Sequence, residues 1–399
     1  MIQSIKKNYE QQVRGLFLGI LSVFYTGLYE PWIFVSAVPQ EFRLGVEACL
    51  LILFYVVYFF DYRVDRMIVW LLVLTLLAAG LYTNLIATYF SRLNKLLFFF
   101  LMWLEVRNNP GFQVILRKLI VILFTVITLQ VIVSFVLYMF GMLPVSPHPF
   151  GFLSQDRYQY FGNPLFGQFL MKNWGSVSIP RACSYFFEPG WLAVLFGMLL
   201  IGAMPLRGWL RMCLLVALAL TFSFSGWLSL LAGMACFLLI RLHQKTDRAL
   251  FTVLLILMPV ISFIILYFIN IQQLFGFSSG GDRILRLGNA MAVWVSASPI
   301  GILLGSGIGN TGGASKAFTA GLLNLLVERG LLYMLLYGAI LWRLVRNRGL
   351  LVYIIVANMA FDLTNWPIFY LLLVALDKTP VIIYQNDNSS KLPFISRLA

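Results

Sequence analysis

The stretch RACSYFFEPGW, residues 181–191, lies where a long mixed segment gives way to a hydrophobic run. It places Arg181 seven residues before Glu188, and Pro189 directly follows the glutamate. Proline disfavours the helical conformation in the residue before it and is best tolerated in the first turn of a helix. The stretch therefore predicts a helix that starts near Glu188, with Arg181 on the chain leading into it.

Two interpretations of this pair of charges are open. At the N-terminus of a helix, the helix dipole favours the ionised form of Glu188. In the first interpretation, an interfacial salt bridge between Arg181 and Glu188 holds a loop to a helix end. In the second, a fixed guanidinium lies beside a carboxylate at a bilayer surface. The guanidinium would bind a phosphate group, and the carboxylate would accept or release a proton.

Composition indicates the class of protein that surrounds this stretch. Of the 399 residues, 61% are hydrophobic and 11% are charged, and the mean hydropathy is +0.88. These values predict an all-α polytopic integral membrane protein, which we treat as a single membrane domain over residues 1–399. The net charge of +14 would suggest nucleic acid as a partner of a soluble protein. We expect no such partner here, because the sequence lacks a basic cluster with interleaved aromatic residues.

The apolar runs predict 11 or 12 transmembrane helices. They fall at about 15–38, 44–60, 67–89, 96–106, 117–142, 185–204, 210–223, 226–240, 249–271, 321–345 and 350–376. The last run is interrupted at 362–367 and forms either one kinked helix or two short ones. Lys and Arg are concentrated in the segments that face the cytoplasm if the N-terminus is cytoplasmic. This asymmetry places two long loops, about 143–184 and 272–320, on the outer face.

The first long loop carries Arg157 and several aromatic residues as candidates for substrate binding. Tyr158, Tyr160, Phe161 and Trp174 are the aromatic residues that we single out. They either stack on sugar rings or lie at the membrane interface, where aromatic residues are enriched.

The second long loop carries Asp282, Arg283 and Arg286. On a helix, the two arginines would share one face, where an anion such as a diphosphate would relieve their repulsion. The alternative is contact with lipid headgroups. The glycine-rich GSGIGN at 305–310 has no preceding strand and no following Lys-Ser/Thr, so we interpret it as a turn and not a nucleotide site.

Other charged and metal-binding residues are sparse. Glu328 and Arg329 enter the apolar run 321–345, where ionisable residues are functional by default unless they lie at the interface. Asp362 and Asn365 would cap a helix break. The four cysteines are isolated and the two histidines are far apart, so we expect neither a metal site nor a disulfide framework.

The order of several motifs resembles that of the bacterial O-antigen polymerase family, the Wzy-type enzymes, which are related to the O-antigen ligases. The motifs are Arg181 with Glu188–Pro189, TFSFSG at 221–226, GDR at 281–283, SPI with GSGIGN between 298 and 310, and LLVERG at 325–330. The match covers about residues 180–345. It implies a GT-C-like glycosyltransferase architecture in the bacterial inner membrane, with the active site on the periplasmic side.

The resemblance also implies a reaction and its site. A metal-independent polysaccharide polymerase without cofactors would join undecaprenyl-pyrophosphate-linked oligosaccharide repeat units during lipopolysaccharide biosynthesis, releasing undecaprenyl pyrophosphate. Arg181 and Arg283 match the arginines that the family uses for the pyrophosphate, and Glu188 is the candidate general base. The residues expected to bind substrate are Arg286, Arg157, Asp282, Tyr158 and Trp174.

Two alternative functions remain at this point, an O-antigen ligase and a flippase or transporter of the same lipid-linked oligosaccharide. The ligases place a histidine in the second outer loop, and this sequence has none between 272 and 320. A transporter usually has internal repeats and short loops on both faces, and neither is evident here. The expected partners are the lipid-linked oligosaccharide, the bilayer and, as an open alternative, a chain-length regulator.

Overall fold

A computed structural model shows a mostly helical chain. It describes residues 2–29, 41–49, 86–147, 160–174, 177–186, 188–202, 206–242, 292–306, 321–345, 347–361 and 363–376, together with residues 32, 39 and 149. Several predicted features, including the apolar runs 67–89 in large part and 249–271, lie outside these residues. The expectation of a mostly helical architecture is confirmed for the part that the structure describes.

The described elements follow one another as helices, a sheet and helices again. The first helices are α1 (Ile2–Gly27), α2 (Ile86–Asn108) and α3 (Pro110–Met139). The strands are β1 (Ser146–Pro147), β2 (Tyr160–Asn163), β3 (Gly167–Trp174) and β4 (Val177–Ser184). The remaining helices are α4 (Pro189–Ile201), α5 (Gly208–Leu220), α6 (Phe224–Leu242), α7 (Pro299–Leu304), α8 (Gly321–Leu344), α9 (Arg348–Ala360) and α10 (Pro367–Leu376).

The last apolar run forms two short helices and not one kinked helix. A single 3₁₀ turn at Leu363–Asn365 separates α9 from α10. The amide of Leu363 donates to the side-chain oxygen of Asn358 at 3.2 Å, which satisfies a backbone donor at the break. Pro367 then begins α10, in the position where a helix tolerates proline best.

The first long loop contains an antiparallel sheet, so the all-helical expectation is correct for the helices but not for residues 143–184. The four strands pair in sequence order, β1-β2-β3-β4. Phe161, Phe169 and Ala182 lie on one face, and Tyr138 of α3 packs against the rings of Phe161 and Phe169. The opposite face also carries apolar residues. Because both faces are apolar, the alternation that marks a half-exposed strand is missing from the sequence.

Helices α4 and α10 form the centre of the bundle. Every side chain from Leu192 to Leu199 in α4 is buried, and so is every residue of α10 from Pro367 to Leu376. Helices that are apolar on all sides pack within a protein interior. At Gly197 of α4 the packing is especially close, since a Cβ there would lie 2.3 Å from the hydroxyl of Tyr353 on α9. That hydroxyl donates to the carbonyl oxygen of Val194 at 2.7 Å.

Several helix ends meet beside the sheet, and we call this part of the molecule the sheet end. Trp32, just after α1, stacks on Phe186, with 4.5 Å between the ring centroids. Phe361 at the end of α9 packs against Gly190 at the start of α4. At the opposite end of the bundle, Arg117 near the start of α3 donates to the carbonyl oxygen of Ala375 at the end of α10, at 2.6 Å.

Four helices expose stripes of apolar side chains. The exposed residues recur every three or four positions, so each set lies along one side of its helix. They are Val13, Leu16, Phe17, Ile20 and Phe24 on α1; Ile122, Val126, Leu129, Val133, Val136 and Met139 on α3; Trp209, Met212 and Val216 on α5; and Leu231, Met234 and Leu238 on α6. Apolar surface of this extent marks a contact with a membrane or with another protein.

Two of the described helical stretches are long and apolar enough to cross a membrane. They are Gly111–Met139 within α3 and Leu325–Trp342 within α8. The other described apolar helices, such as Pro189–Ile201, are shorter. A bilayer core of about 30 Å needs roughly 20 helical residues to be crossed at a rise of about 1.5 Å per residue. These two helices meet the length and composition of a membrane span.

A kink divides α8 where the second loop motif meets it. Gly330 has φ 78 and ψ 172, which breaks the helix directly after Glu328 and Arg329. Gly305, with φ 85, lies against this kink, and a Cβ on either glycine would come within 2.4 Å of backbone atoms of the other segment. The amide of Ser306 also donates to the carbonyl oxygen of Val327 at 2.8 Å. Gly305 and Ser306, which begin the GSGIGN motif, thus meet the LLVERG motif at this kink.

We expect Gly330→Ala to destabilise the folded protein. An alanine there would have to adopt a backbone with positive φ, which costs about 1–3 kcal/mol. Its Cβ would also overlap backbone atoms of residues 303–305. Gly338→Ala is the matched control, because Gly338 lies on the same helix with open space around its Cα. The midpoint of thermal unfolding in detergent should fall for Gly330→Ala and not for Gly338→Ala. Equal midpoints for Gly330→Ala and the native protein would contradict the kink.

Candidate functional site

Arg181 lies in a cross-strand row of the sheet. The register aligns Tyr160 of β2, Leu170 of β3 and Arg181 of β4. A shift in register at Gln168/Phe169 gives β4 one extra residue, Cys183. Tyr160, Leu170 and Cys183 form a small buried cluster of their own. The sheet therefore presents Arg181 on the face that points away from α3.

The guanidinium of Arg181 is hydrogen-bonded to the end of α5. Its Nε donates to the carbonyl oxygen of Thr221 at 3.1 Å. Thr221 is the C-cap of α5 and is fully buried. The last carbonyl groups of a helix lack partners within the helix and carry partial negative charge, so a cationic donor is favourable there. This contact fixes the position of the arginine between the sheet and the helices.

The TFSFSG motif forms the tight turn that joins α5 to α6. The hydroxyl of Thr221 donates to the carbonyl oxygen of Leu218 at 2.6 Å, and Phe222 adopts a positive φ of 45. The amide of Gly226 donates to the hydroxyl oxygen of Ser223 at 3.4 Å, which satisfies a donor at the start of α6. The motif therefore places its short polar side chains beside the helix end that receives Arg181.

Glu188 is the N-cap of α4, as the Glu-Pro pair predicts. Its backbone is extended, with φ −132 and ψ 146, and Pro189 occupies the first helical turn. The carbonyl oxygen of Glu188 accepts from the amide of Trp191 at 3.1 Å, but its side chain makes no capping hydrogen bond to the helix. The half-buried carboxylate is thus positioned at the helix start without being used to cap it.

Arg181 and Glu188 share an electrostatic environment around Cys183. Burial raises the pKa of the Cys183 thiol well above its usual range, Arg181 lowers it, and Glu188 raises it. Both charges therefore act on the same thiol, on the face of the sheet next to α4. The seven-residue spacing is spanned by the end of a strand, a turn and a helix start. The structure brings the two predicted residues into one region.

Two aromatic residues of the first loop have packing roles. Tyr160 is buried against Leu170 and Cys183. The ring of Phe161 stacks on Phe169, with centroids 5.5 Å apart. Tyr160 is thus enclosed by its neighbours, and the partly buried ring of Phe161 packs on the face toward α3. Trp174 ends β3, where its backbone pairs with Val177.

The pair Glu328 and Arg329 is buried within the protein. Both residues are buried, directly before the kink at Gly330. Nη1 of Arg329 donates to the hydroxyl of Tyr333, and the guanidinium carbon lies 4.6 Å from the centroid of the same ring. The sequence signal for Arg329 is a charged residue within an apolar helix. The kink that follows it at Gly330 is not evident from the sequence. Arg329 adds a second oriented guanidinium to the candidate functional residues.

The remaining predicted site residues lie outside the described part of the chain. They are Arg157, Tyr158, Asp282, Arg283 and Arg286. Their proposed roles in binding stay predictions. Within the described ranges, no three His, Cys, Asp or Glu side chains are grouped so that they would hold a metal ion.

We expect Cys183 to resist alkylation in the native protein. Maleimides react with the thiolate, and burial keeps this thiol protonated above the pH of about 8.5 at which a free cysteine ionises. Ser178→Cys, at an exposed position of the same sheet, supplies the control thiol. Mass spectrometry after labelling at about pH 8.5 should find position 178 modified and Cys183 modified only after denaturation. Labelling of Cys183 at the rate of position 178 would show that this face of the sheet is open.

Comparisons with known proteins assign no family to the chain. No protein-family model matches it, and no curated protein or solved structure is similar to it. The resemblance to the polymerases consequently rests on the order of the motifs, and the function has to be argued from the residues gathered at the sheet end.

Proposed function

We propose that the chain is a metal-independent glycosyltransferase of the bacterial inner membrane, a polysaccharide polymerase. It would join oligosaccharide repeat units carried on undecaprenyl pyrophosphate at the periplasmic face and release undecaprenyl pyrophosphate. The observation that carries the proposal is the end of β4, where Arg181 is hydrogen-bonded to the C-cap of α5 and is followed seven residues later by Glu188 at the N-cap of α4. A polymerase needs these two kinds of group, a fixed cation for the leaving pyrophosphate and a base for the acceptor.

The exposed apolar stripes support the placement in a membrane. The stripes on α1, α3, α5 and α6 would each face lipid, because transfer of apolar surface from water to acyl chains is favourable. Helices satisfy their own backbone hydrogen bonds, as a bilayer requires. We infer a multi-pass arrangement in which the short helices add to the two longer candidate spans.

The orientation follows from the direction of α1. Gly15 and Gly19 of α1 face Ile115 and Leu119 of α3, so the two helices run in parallel from the opposite end toward the sheet end. The asymmetry of Lys and Arg favours a cytoplasmic N-terminus. With that orientation, the sheet end lies on the periplasmic side, where lipid-linked repeat units would be joined.

Arg181 suits the stabilisation of the leaving group. As the bond between the anomeric carbon and the phosphate oxygen breaks, its electron pair goes to the pyrophosphate and negative charge accumulates there. A guanidinium already oriented by the Thr221 carbonyl stabilises that charge without reorganisation. In the proposal, Arg283 and Arg286 of the second loop supply further cationic contacts, and Arg157, Tyr158, Trp174 and Asp282 contact the substrate.

Glu188 suits the role of general base. The acceptor hydroxyl attacks the anomeric carbon, and its proton passes to the carboxylate. The positive end of the α4 dipole favours the ionised carboxylate before reaction. The N-cap position places this carboxylate at the sheet end, where α4 begins. The geometry thus suits transfer of a proton at the mouth of the bundle.

We expect Glu188→Gln to abolish long chains while the protein accumulates in the membrane at a near-normal level. Glutamine keeps the shape of the side chain but removes its basicity, and loss of a general base typically costs about 10²–10⁴-fold in rate. Gel analysis of surface polysaccharide is the measurement. Glu41→Gln, which alters an exposed glutamate on the helical segment 41–49, is the matched control and should preserve chain length.

The same gels separate the three candidate functions. A strain without a polymerase attaches single repeats, one without a ligase accumulates long unattached chains, and one without a flippase displays neither on the outer face. Normal chain lengths with Glu188→Gln would assign Glu188 to structure. Unattached long chains in the deletion strain would contradict a polymerase.

A further inference from the structure

Five exposed apolar residues cluster where α3 meets the sheet, and we call them the apolar lip. They are Met139, Phe140, Met142, Val145 and Leu165, with 43% to 78% of each residue exposed. Residues 139–147 and 163–171 carry no charged side chain. Met139 is the last residue of α3, and residues 140–145 connect it to β1. Leu165 lies in the turn between β2 and β3.

Hydrogen bonds join the two parts of the apolar lip. Nδ2 of Asn163 donates to the carbonyl oxygen of Pro144 at 3.1 Å, and the amide of Leu165 donates to Oδ1 of Asn163 at 2.9 Å. The hydroxyl of Tyr185 donates to the carbonyl oxygen of Leu165 at 2.5 Å. The turn is therefore held in place, and Leu165 extends outward from an ordered backbone.

The apolar lip continues the apolar stripe of α3. Ile122, Val126, Leu129, Val133 and Val136 are exposed along the helix, and Met139 and Phe140 follow at its end. A contact surface that covered the stripe would extend onto the lip without a polar interruption among these exposed residues. This continuity indicates that the same medium covers both.

We propose that the apolar lip inserts into the boundary between headgroups and acyl chains of the outer leaflet, so that the sheet lies on the membrane. The inference rests on the membrane placement in the proposed function. Insertion removes the exposed apolar surface from water and leaves the adjacent backbone at the polar headgroup level. Because β3 pairs directly with β4, this anchor sets the height of Arg181 relative to the phosphates of lipid-linked substrates.

The test uses single cysteines that carry an environment-sensitive fluorophore, in protein reconstituted into phosphatidylcholine vesicles. Cys49 and Cys213 are replaced by serine, while the buried Cys183 and Cys236 are kept. Phe140→Cys and Leu165→Cys report on the apolar lip. Ser178→Cys, at an exposed position of β4, is the matched control in the sheet, and Val126→Cys reports on the α3 stripe.

We expect nitroxides on shallow acyl positions to quench the labels at 140 and 165 several-fold more than the label at 178. Aqueous iodide should show the reverse order. Preferential quenching by iodide at 165 would overturn the proposal, as would protection from both quenchers, which would indicate a covering protein. Quenching by lipid nitroxides at 126 but not at 165 would refute insertion of the apolar lip and leave the membrane placement of α3 standing. Absence of lipid quenching at 126 would refute the membrane placement as well.

Discussion

The hydrogen bond from Arg181 to the Thr221 carbonyl is the contact on which the arrangement of the sheet end depends. The end of α5 is buried, and buried helix carbonyl groups are costly unless a donor reaches them. A strand of the first long loop supplies that donor as a cation. This interaction therefore pairs a carbonyl group at a helix end, joins β4 to the end of α5 and orients a guanidinium.

The start of α4 provides the second half of the site. This helix is buried at the centre of the bundle because its sequence is apolar on all sides. Glu188, directly before Pro189, places a carboxylate where the chain enters the interior. That carboxylate raises the pKa of the Cys183 thiol, and Arg181 lowers it. The same packing that buries α4 thus holds a potential base and a fixed cation at one end of the bundle, beside the turn between α5 and α6.

Local sequence signals predicted the features that depend on one or two residues. Pro189 predicted the start of α4 near Glu188, whereas the interruption at 362–367 left open one kinked helix or two short ones, and the structure has two. The sheet was missed because its apolar residues occupy both faces, and for the same reason Tyr160 and Phe161 were expected either to stack on sugar rings or to lie at the membrane interface. Arg329 is buried directly before the kink, where the segments of Gly305 and Gly330, distant in sequence, come into contact. Packing between such segments leaves no periodic signal.

Polymerisation by the purified protein tests the central claim, that the sheet end joins lipid-linked repeat units without a metal, most directly. The protein would be reconstituted into vesicles with undecaprenyl-pyrophosphate-linked repeat units and excess chelator, and the products would be resolved by length. The account predicts chains of more than one repeat, with undecaprenyl pyrophosphate released for each bond formed. Recovery of single repeats only, or chains that form only when a divalent metal is restored, would contradict it.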